Sequence, residues 1–70
     1  MINAIIIDDE KDARDGLRLA IERYCPEVKL IEICATPEKG IEAINMLKPD
    51  LVFLDVQMPH LSGFDVLQRV

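Results

Sequence analysis

Hydrophobic positions along this chain follow two periods. The run AIIID at residues 4–8 is continuous rather than alternating, as in a strand buried on both faces. LVFL at 51–54 is of the same kind. VKLIEIC at 28–34 also reads as a strand, but Lys29 and Glu32 interrupt it and place it at a sheet edge. Residues 11–24, KDARDGLRLAIERY, have a helical period. Ala13, Leu17, Ala20, Ile21 and Tyr24 share one stripe there, with Arg14, Arg18, Glu22 and Arg23 largely off it. Pro26 ends this helix. Thr36 and Pro37 suit the N-cap and first position of a second helix, whose apolar face is Ile41, Ala43, Ile44 and Leu47. KPD at 48–50 breaks it. Ser62 is placed to cap a third helix, with Asp65 at the capping-box distance and Phe64, Leu67 and Val70 facing inward.

The predicted order is therefore βαβαβα with short connections. Such alternation implies an α/β fold: a parallel sheet, right-handed crossovers, and helices on its faces. Three strands make a thin sheet, and the sequence reaches Val70 about two turns into the third helix without a stop signal. Residues 1–70 are thus expected to be part of a longer domain, cut within that helix. The third strand would expose an apolar edge, so the isolated chain is expected to be unstable or to associate through it.

Composition narrows the functional classes. Half of the 70 residues are hydrophobic, which excludes a disordered composition, and the few aromatics (Tyr24, Phe53, Phe64) leave an aliphatic core. A net charge of −5 argues against direct nucleic-acid contact, which needs a basic face. Cys25 and Cys34 form no CxxC pair and are expected to be free thiols. No signal peptide or membrane-length segment is visible, so the expected location is the cytoplasm, with no membrane contact.

The candidate chemistry lies in carboxylates. Asp8, Asp9 and Glu10 follow the first predicted strand, and Asp55 ends the third. Open parallel sheets bind ligands beyond the carboxyl ends of their strands, where the strand order reverses. With strand one between strands two and three, neighbours about 4.8 Å apart bring these aspartates together. Clustered carboxylates repel one another, and a hard divalent cation such as Mg²⁺ relieves that repulsion. Consecutive residues of an extended chain point oppositely, so the chain must turn at Asp8–Asp9 to aim both inward. A carboxylate beside such a cation can accept a phosphoryl group in line. A backbone carbonyl just past Asp55, at Gln57, is placed to complete the metal site. Other readings of the parts are plainer. An acidic cluster also suits a helix start, and a strand-terminal Asp suits a turn. Asp50 lies at the wrong end of its strand, Asp12 and Asp15 form a solvated helix face, His60 is a surface histidine, and Met46 and Met58 are packing residues.

IIIDDE followed by PDLVFLDVQMPHLSGFDVL resembles the receiver domain of two-component response regulators. The resemblance spans all 70 residues but only the first three of that family's five βα units. It implies a flavodoxin-like sheet with strand order 2-1-3 in this stretch. It also implies Asp55 as phospho-acceptor, with Asp8, Asp9, Asp55 and the Gln57 carbonyl around Mg²⁺, Asp9 being the more direct ligand of the pair. The implied partners are a sensor histidine kinase and an output domain. VQMPHLSGFDVL is most similar to receivers joined to LytTR-type DNA-binding domains, which makes transcriptional output the expectation. The resemblance further implies a signalling domain rather than an enzyme, with self-phosphorylation and dephosphorylation its only chemistry. The family's hydroxyl residue after strand four, lysine after strand five and switching aromatic have no counterpart among these residues.

Two other classes compete. A Mg²⁺-dependent phosphatase of the haloacid dehalogenase type also uses an aspartate nucleophile, but it places two aspartates two residues apart after one strand. Here the pair is adjacent and the acceptor lies on another strand. A pseudo-receiver, an interaction module with structural acids only, is the second. Gly16, Gly40 and Gly63 are too scattered for the phosphate-cradling loop of a dinucleotide or flavin binder.

Overall fold

A computed structural model of the chain describes residues 1–55 and 63–69, apart from the side chains of residues 63 and 64. The elements are β1 (Ile2–Ile7), α1 (Lys11–Tyr24), β2 (Val28–Cys34), α2 (Pro37–Leu47), β3 (Leu51–Leu54) and α3 (Gly63–Arg69). The three strands are parallel in the order β2-β1-β3, as expected. β2 is an edge strand, and its pairing with β1 is irregular at Ala4/Ile5, so that Ile31 is passed over between Leu30 and Glu32.

β1 is the centre of the core. Ala4, Ile5, Ile6 and Ile7 have no exposed surface. Side chains alternate across a strand, and two layers result. Ile5 and Ile7 pack with Cys34, Ala43 of α2 and Val66 of α3. Ile6 faces the opposite side, where with Leu17 of α1 and its strand neighbour Phe53 of β3 it lines a hollow. Helices therefore cover both faces of the sheet.

β1 begins two residues before the expected run. Asn3 and the exposed Ile2 are recruited by hydrogen bonds rather than by hydrophobicity. Ile2 N–H donates to the Glu27 carbonyl at 2.9 Å, and Asp50 N–H donates to the Asn3 carbonyl at 2.8 Å. Asn3 N–H in turn donates to the Asp50 carboxylate at 2.9 Å. Asp50 thus ties the amino ends of β1 and β3, far from the carboxyl-end cluster.

α2 starts as the sequence indicates. The Thr36 hydroxyl accepts from Lys39 N–H at 3.2 Å, and Pro37 opens the helix. It ends at Lys48, which takes the left-handed conformation (φ 48°), followed by Pro49. Gly40 brings α2 close to β1. A Cβ there would stand 2.8 and 2.9 Å from Cγ1 and Cγ2 of Ile7.

Expected faces need correction in each helix; on α2, Ala43 is buried and Ile41 and Ile44 half-buried as expected, but Leu47 is exposed. α1 turns Arg14, Leu17, Arg18 and Ile21 toward the sheet, with Ile21 buried and the others half-buried, whereas Ala13, Ala20 and Tyr24 are exposed. The inward line follows the i, i+3, i+4, i+7 rule but is rotated to include two arginines, whose aliphatic stems can lie on apolar surface. In α3, Val66 is fully buried while Leu67 is exposed. The one-residue step turns the chain by about 100°, so a helix that points Val66 into the core directs Leu67 outward. Ser62 and Val70, the expected cap and third inward position, lie outside the described residues, as does the side chain of Phe64.

Both cysteines are free, Cys34 buried and Cys25 half-buried, as expected. Burial raises the Cys34 thiol pKa above its ordinary range. Among the described residues, no helix is long and apolar enough to cross a membrane.

Candidate functional site

Register places the carboxylates. Ile7 pairs with Leu54 on one side and with Cys34 on the other. Asp8 and Asp55, the next residues of β1 and β3, therefore leave the sheet side by side. The ladder holds them by their backbones. Asp55 N–H donates to the Ile7 carbonyl at 3.0 Å, and Asp8 N–H donates to the Cys34 carbonyl at 3.1 Å.

The chain turns immediately after Asp8, as the sequence requires. Glu10 N–H donates to Oδ1 of Asp8 at 3.0 Å, an Asx-type turn that reverses the direction of the backbone before α1 begins. Asp9 is thereby brought round to the same side. One carboxylate oxygen from each of Asp8, Asp9 and Asp55 lies within 4.8 Å of the others. Asp8 and Asp55 are half-buried and Asp9 is exposed. The plainer reading of DDE, an acidic cluster favoured at a helix start by the macrodipole, is compatible with its place just before α1, but it does not account for the convergence with Asp55. Glu10 occupies the N-cap of α1 and makes no side-chain cap bond.

Three negative charges at this spacing repel by about 1 kcal/mol per pair across water, and by several times that where protein replaces water. A hard cation suits such a donor set. Octahedral ligands at about 2.1 Å from Mg²⁺ stand roughly 3 to 4.2 Å apart, so the three oxygens need only small adjustments to share an ion of that size. Beside them, Ile6, Leu17, Phe53 and Leu54 line an apolar hollow of about 270 Å³ bounded by Asp8 and Asp55. A larger hollow of about 350 Å³ lies between β2 and α2, near Ile33, Cys34, Met46 and Leu47. Size does not identify the site here. The smaller hollow touches the converging carboxylates, and the larger one does not.

Arg14 is the member of the site that sequence periodicity missed. Its guanidinium donates to the Asp8 carbonyl at 3.0 Å, reaching back from α1 to the turn. A cation near a helix start opposes the macrodipole, and that misplacement is the sequence signal that could have pointed to it. Asp15, by contrast, is an ordinary helix-face acid. Its hydrogen-bonded ion pair with Lys11, at 2.8 Å, lowers its pKa. Gln57, Met58 and His60 lie outside the described residues.

Comparisons with known proteins agree with this geometry. Residues 4–70 match the family described as the response regulator receiver domain. The chain is 37% identical to the transcriptional regulatory protein BtsR of Escherichia coli K12 over 67 residues, covering 96% of this chain and 28% of that protein. It is 40% identical over 70 residues to a response regulatory protein of Vibrio cholerae, covering all of this chain and 29% of that protein. The chain thus spans less than a third of the length of these relatives. The response regulator domain of Thermotoga maritima CheB superposes with a TM-score of 0.89 at 28% identity, over 99% of this chain and 51% of that one. A receiver from Methanoculleus marisnigri gives 0.86 at 28% identity, over 100% and 55%. The fold here is accordingly the flavodoxin-like receiver arrangement, incomplete relative to the full domain.

Proposed function

The chain belongs to the response regulator receiver domain family, and from that membership we propose that Asp55 accepts a phosphoryl group in a Mg²⁺-dependent reaction. One observation carries the reading. Carboxylate oxygens from two neighbouring parallel strands converge within 4.8 Å at the carboxyl end of the sheet.

Asp8, Asp9 and Asp55 would hold the ion, with the Gln57 carbonyl as a further ligand and Asp9 a more direct one than Asp8. When bound, Mg²⁺ supplies positive charge that offsets repulsion between the carboxylate and an anionic donor. The protein's own groups do the rest. A carboxylate oxygen of Asp55 forms the new bond to phosphorus as the bond to the leaving group breaks in line. With a histidine kinase as donor, the leaving group is the imidazole nitrogen, which departs with the bonding electron pair. The bond from Asp55 N–H to the Ile7 carbonyl fixes the backbone of the acceptor during that transfer. The Asx turn at Asp8 keeps the two acids that follow β1 aimed at the same point. Phe53, on the face of Ile6 and Leu17, supplies apolar surface beside the reacting carboxylate.

In this reading the receiver takes its phosphoryl group from a sensor histidine kinase in the cytoplasm. It passes the change to a transcriptional output domain by population shift. It is not an enzyme toward other substrates. The phosphatase alternative is disfavoured because the acidic pair is adjacent and Asp55 stands on a different strand.

The test uses the full-length gene product containing these residues, incubated with acetyl phosphate with and without Mg²⁺. The expected result is an acid-stable, base-labile phosphoryl adduct by intact mass, dependent on Mg²⁺ and absent from Asp55→Asn. Sustained hydrolysis of phosphomonoesters would instead support the phosphatase. Absence of both adduct and Mg²⁺ binding would leave an interaction module.

A further inference from the structure

The backbone around the acidic turn forms a closed circuit of hydrogen bonds. Glu10 N–H donates to Oδ1 of Asp8 at 3.0 Å. Arg14 N–H donates to the Glu10 carbonyl at 3.0 Å, the first bond of the α1 ladder. The Arg14 guanidinium then returns to the Asp8 carbonyl at 3.0 Å. Asp8, Glu10 and Arg14 are therefore each bonded to the other two. Asp9, between Asp8 and Glu10 in the chain, lies inside this circuit.

We propose that Arg14 is a positioning residue of the phospho-acceptor centre: it holds the Asp8–Asp9 turn so that both carboxylates face Asp55. The inference rests on the reading of Asp8, Asp9 and Asp55 as a Mg²⁺ site.

Three features of the chain carry it. The bond is made to the main chain of Asp8, so Arg14 fixes where the backbone goes, not merely one side-chain rotamer. Arg14 is half-buried on the sheet-facing line of α1 together with Leu17, Arg18 and Ile21, so its stem is held by packing as well as by its donor. The donor is also rooted in a helix, whose first turn is tied to Glu10 by the same circuit. A loop residue in this place would bring its own freedom to the contact. Here the turn is clamped from a rigid element, the arrangement that precise sites require. Arg18, one turn further along the same line, pairs instead with Glu22 at 3.2 Å and plays no part in the circuit. It serves as the control for removal of a half-buried α1 arginine.

The experiment compares wild type, Arg14→Met, Arg14→Lys and Arg18→Met in the full-length gene product. Methionine preserves an unbranched stem and removes the donor. Two readouts are taken without any phosphodonor: hydrogen exchange of the Glu10 amide, and the Mg²⁺ dissociation constant by titration of the amide resonances near Asp8. Second-shell partners of metal ligands typically alter metal affinity by about 10- to 100-fold. The expected results for Arg14→Met are faster exchange at Glu10 and a Mg²⁺ affinity weakened by roughly tenfold or more. Arg14→Lys should recover much of both, and Arg18→Met should change neither. Phosphorylation by acetyl phosphate should be slow in Arg14→Met at low Mg²⁺ and approach the wild-type rate at saturating Mg²⁺.

An Arg14→Met variant with wild-type Glu10 exchange and wild-type Mg²⁺ affinity would overturn the positioning role. So would an equal loss in Arg18→Met, because the effect would then belong to helix packing. Faster Glu10 exchange in Arg14→Met, with no Mg²⁺ binding even by the wild type, would show the clamp and overturn the metal-site reading on which its purpose depends.

Discussion

Two glycines inside helices should respond to alanine with opposite signs. Gly40 lies in α2 directly against Ile7, a fully buried residue of the central strand. An added Cβ would sit 2.8 Å from Cγ1 and 2.9 Å from Cγ2, and closer still to Cδ1. Carbon atoms prefer about 3.5–4.0 Å. Both Cγ atoms hang from the same branched Cβ, whose χ1 is stiff, so Ile7 cannot turn one away without driving the other in. Overpacking of this kind costs about 1–3 kcal/mol, while alanine returns about 1 kcal/mol of helix propensity over glycine. The severity of the contact favours the upper part of that cost, so Gly40→Ala should lose about 1–2 kcal/mol net. Gly16, in α1, has nothing within 4 Å of the place an added Cβ would take, so Gly16→Ala should gain about 0.5–1 kcal/mol. Urea denaturation of both variants beside the wild type reads the difference as midpoint shifts at constant slope. Ile7 immediately precedes Asp8, so Gly40→Ala should also weaken Mg²⁺ binding. A Gly40→Ala variant at least as stable as the wild type would refute the reasoning.

Further expectations concern the far end of the sheet, the buried thiol and the open strand. Asp50→Ala removes the acceptor of Asn3 N–H and should cost about 0.5–1 kcal/mol. Mg²⁺ affinity should stay at the wild-type value, and an equal loss of metal binding would show that the two ends of the sheet are coupled. The Cys34 thiol has its pKa raised by burial. The folded state therefore keeps this proton while the unfolded chain loses it, and stability should fall as pH rises through the ordinary thiol range near ~8.5. Cys34→Ala should flatten that fall in a series of urea melts, and an unchanged slope would remove the thiol as its cause. Among the described residues β3 pairs with β1 alone. The 70-residue chain by itself should therefore self-associate through that strand. Sedimentation over a concentration series checks this, and a strict monomer with a sharp cooperative melt would contradict it.

Much of the architecture was legible because its signals were local. AIIID and LVFL are continuously apolar and became the two strands that carry the acids. Thr36-Pro37 and Lys48-Pro49 bounded α2 by capping and by backbone restriction. The convergence of Asp8, Asp9 and Asp55 followed from strand order, because parallel neighbours in register must end together. What escaped depended on partners distant in sequence. Ile2 and Asn3 join β1 through bonds to Glu27 and Asp50, and hydropathy carries no trace of those. The inward line of α1 includes Arg14 and Arg18 because their stems pack while their heads find acceptors, and a pattern that scores arginine as polar rotates the helix wrongly. The steric role of Gly40 comes from the close approach of α2 to Ile7, a contact that no local pattern records. Val66 in place of Leu67 reflects the angle at which α3 meets the sheet, which the pattern of its few described residues does not specify.

The central claim is that the three aspartates form one Mg²⁺-dependent centre with Asp55 as its acceptor. Borohydride trapping tests it most directly, because reduction of an aspartyl phosphate releases phosphate and leaves homoserine at the modified position. After treatment of the full-length gene product with acetyl phosphate and Mg²⁺, peptide sequencing should find homoserine at position 55. Its yield should fall sharply without Mg²⁺ and in Asp9→Asn. Homoserine at position 8 or 9, or none at any position in protein shown to bind Mg²⁺, would contradict the account.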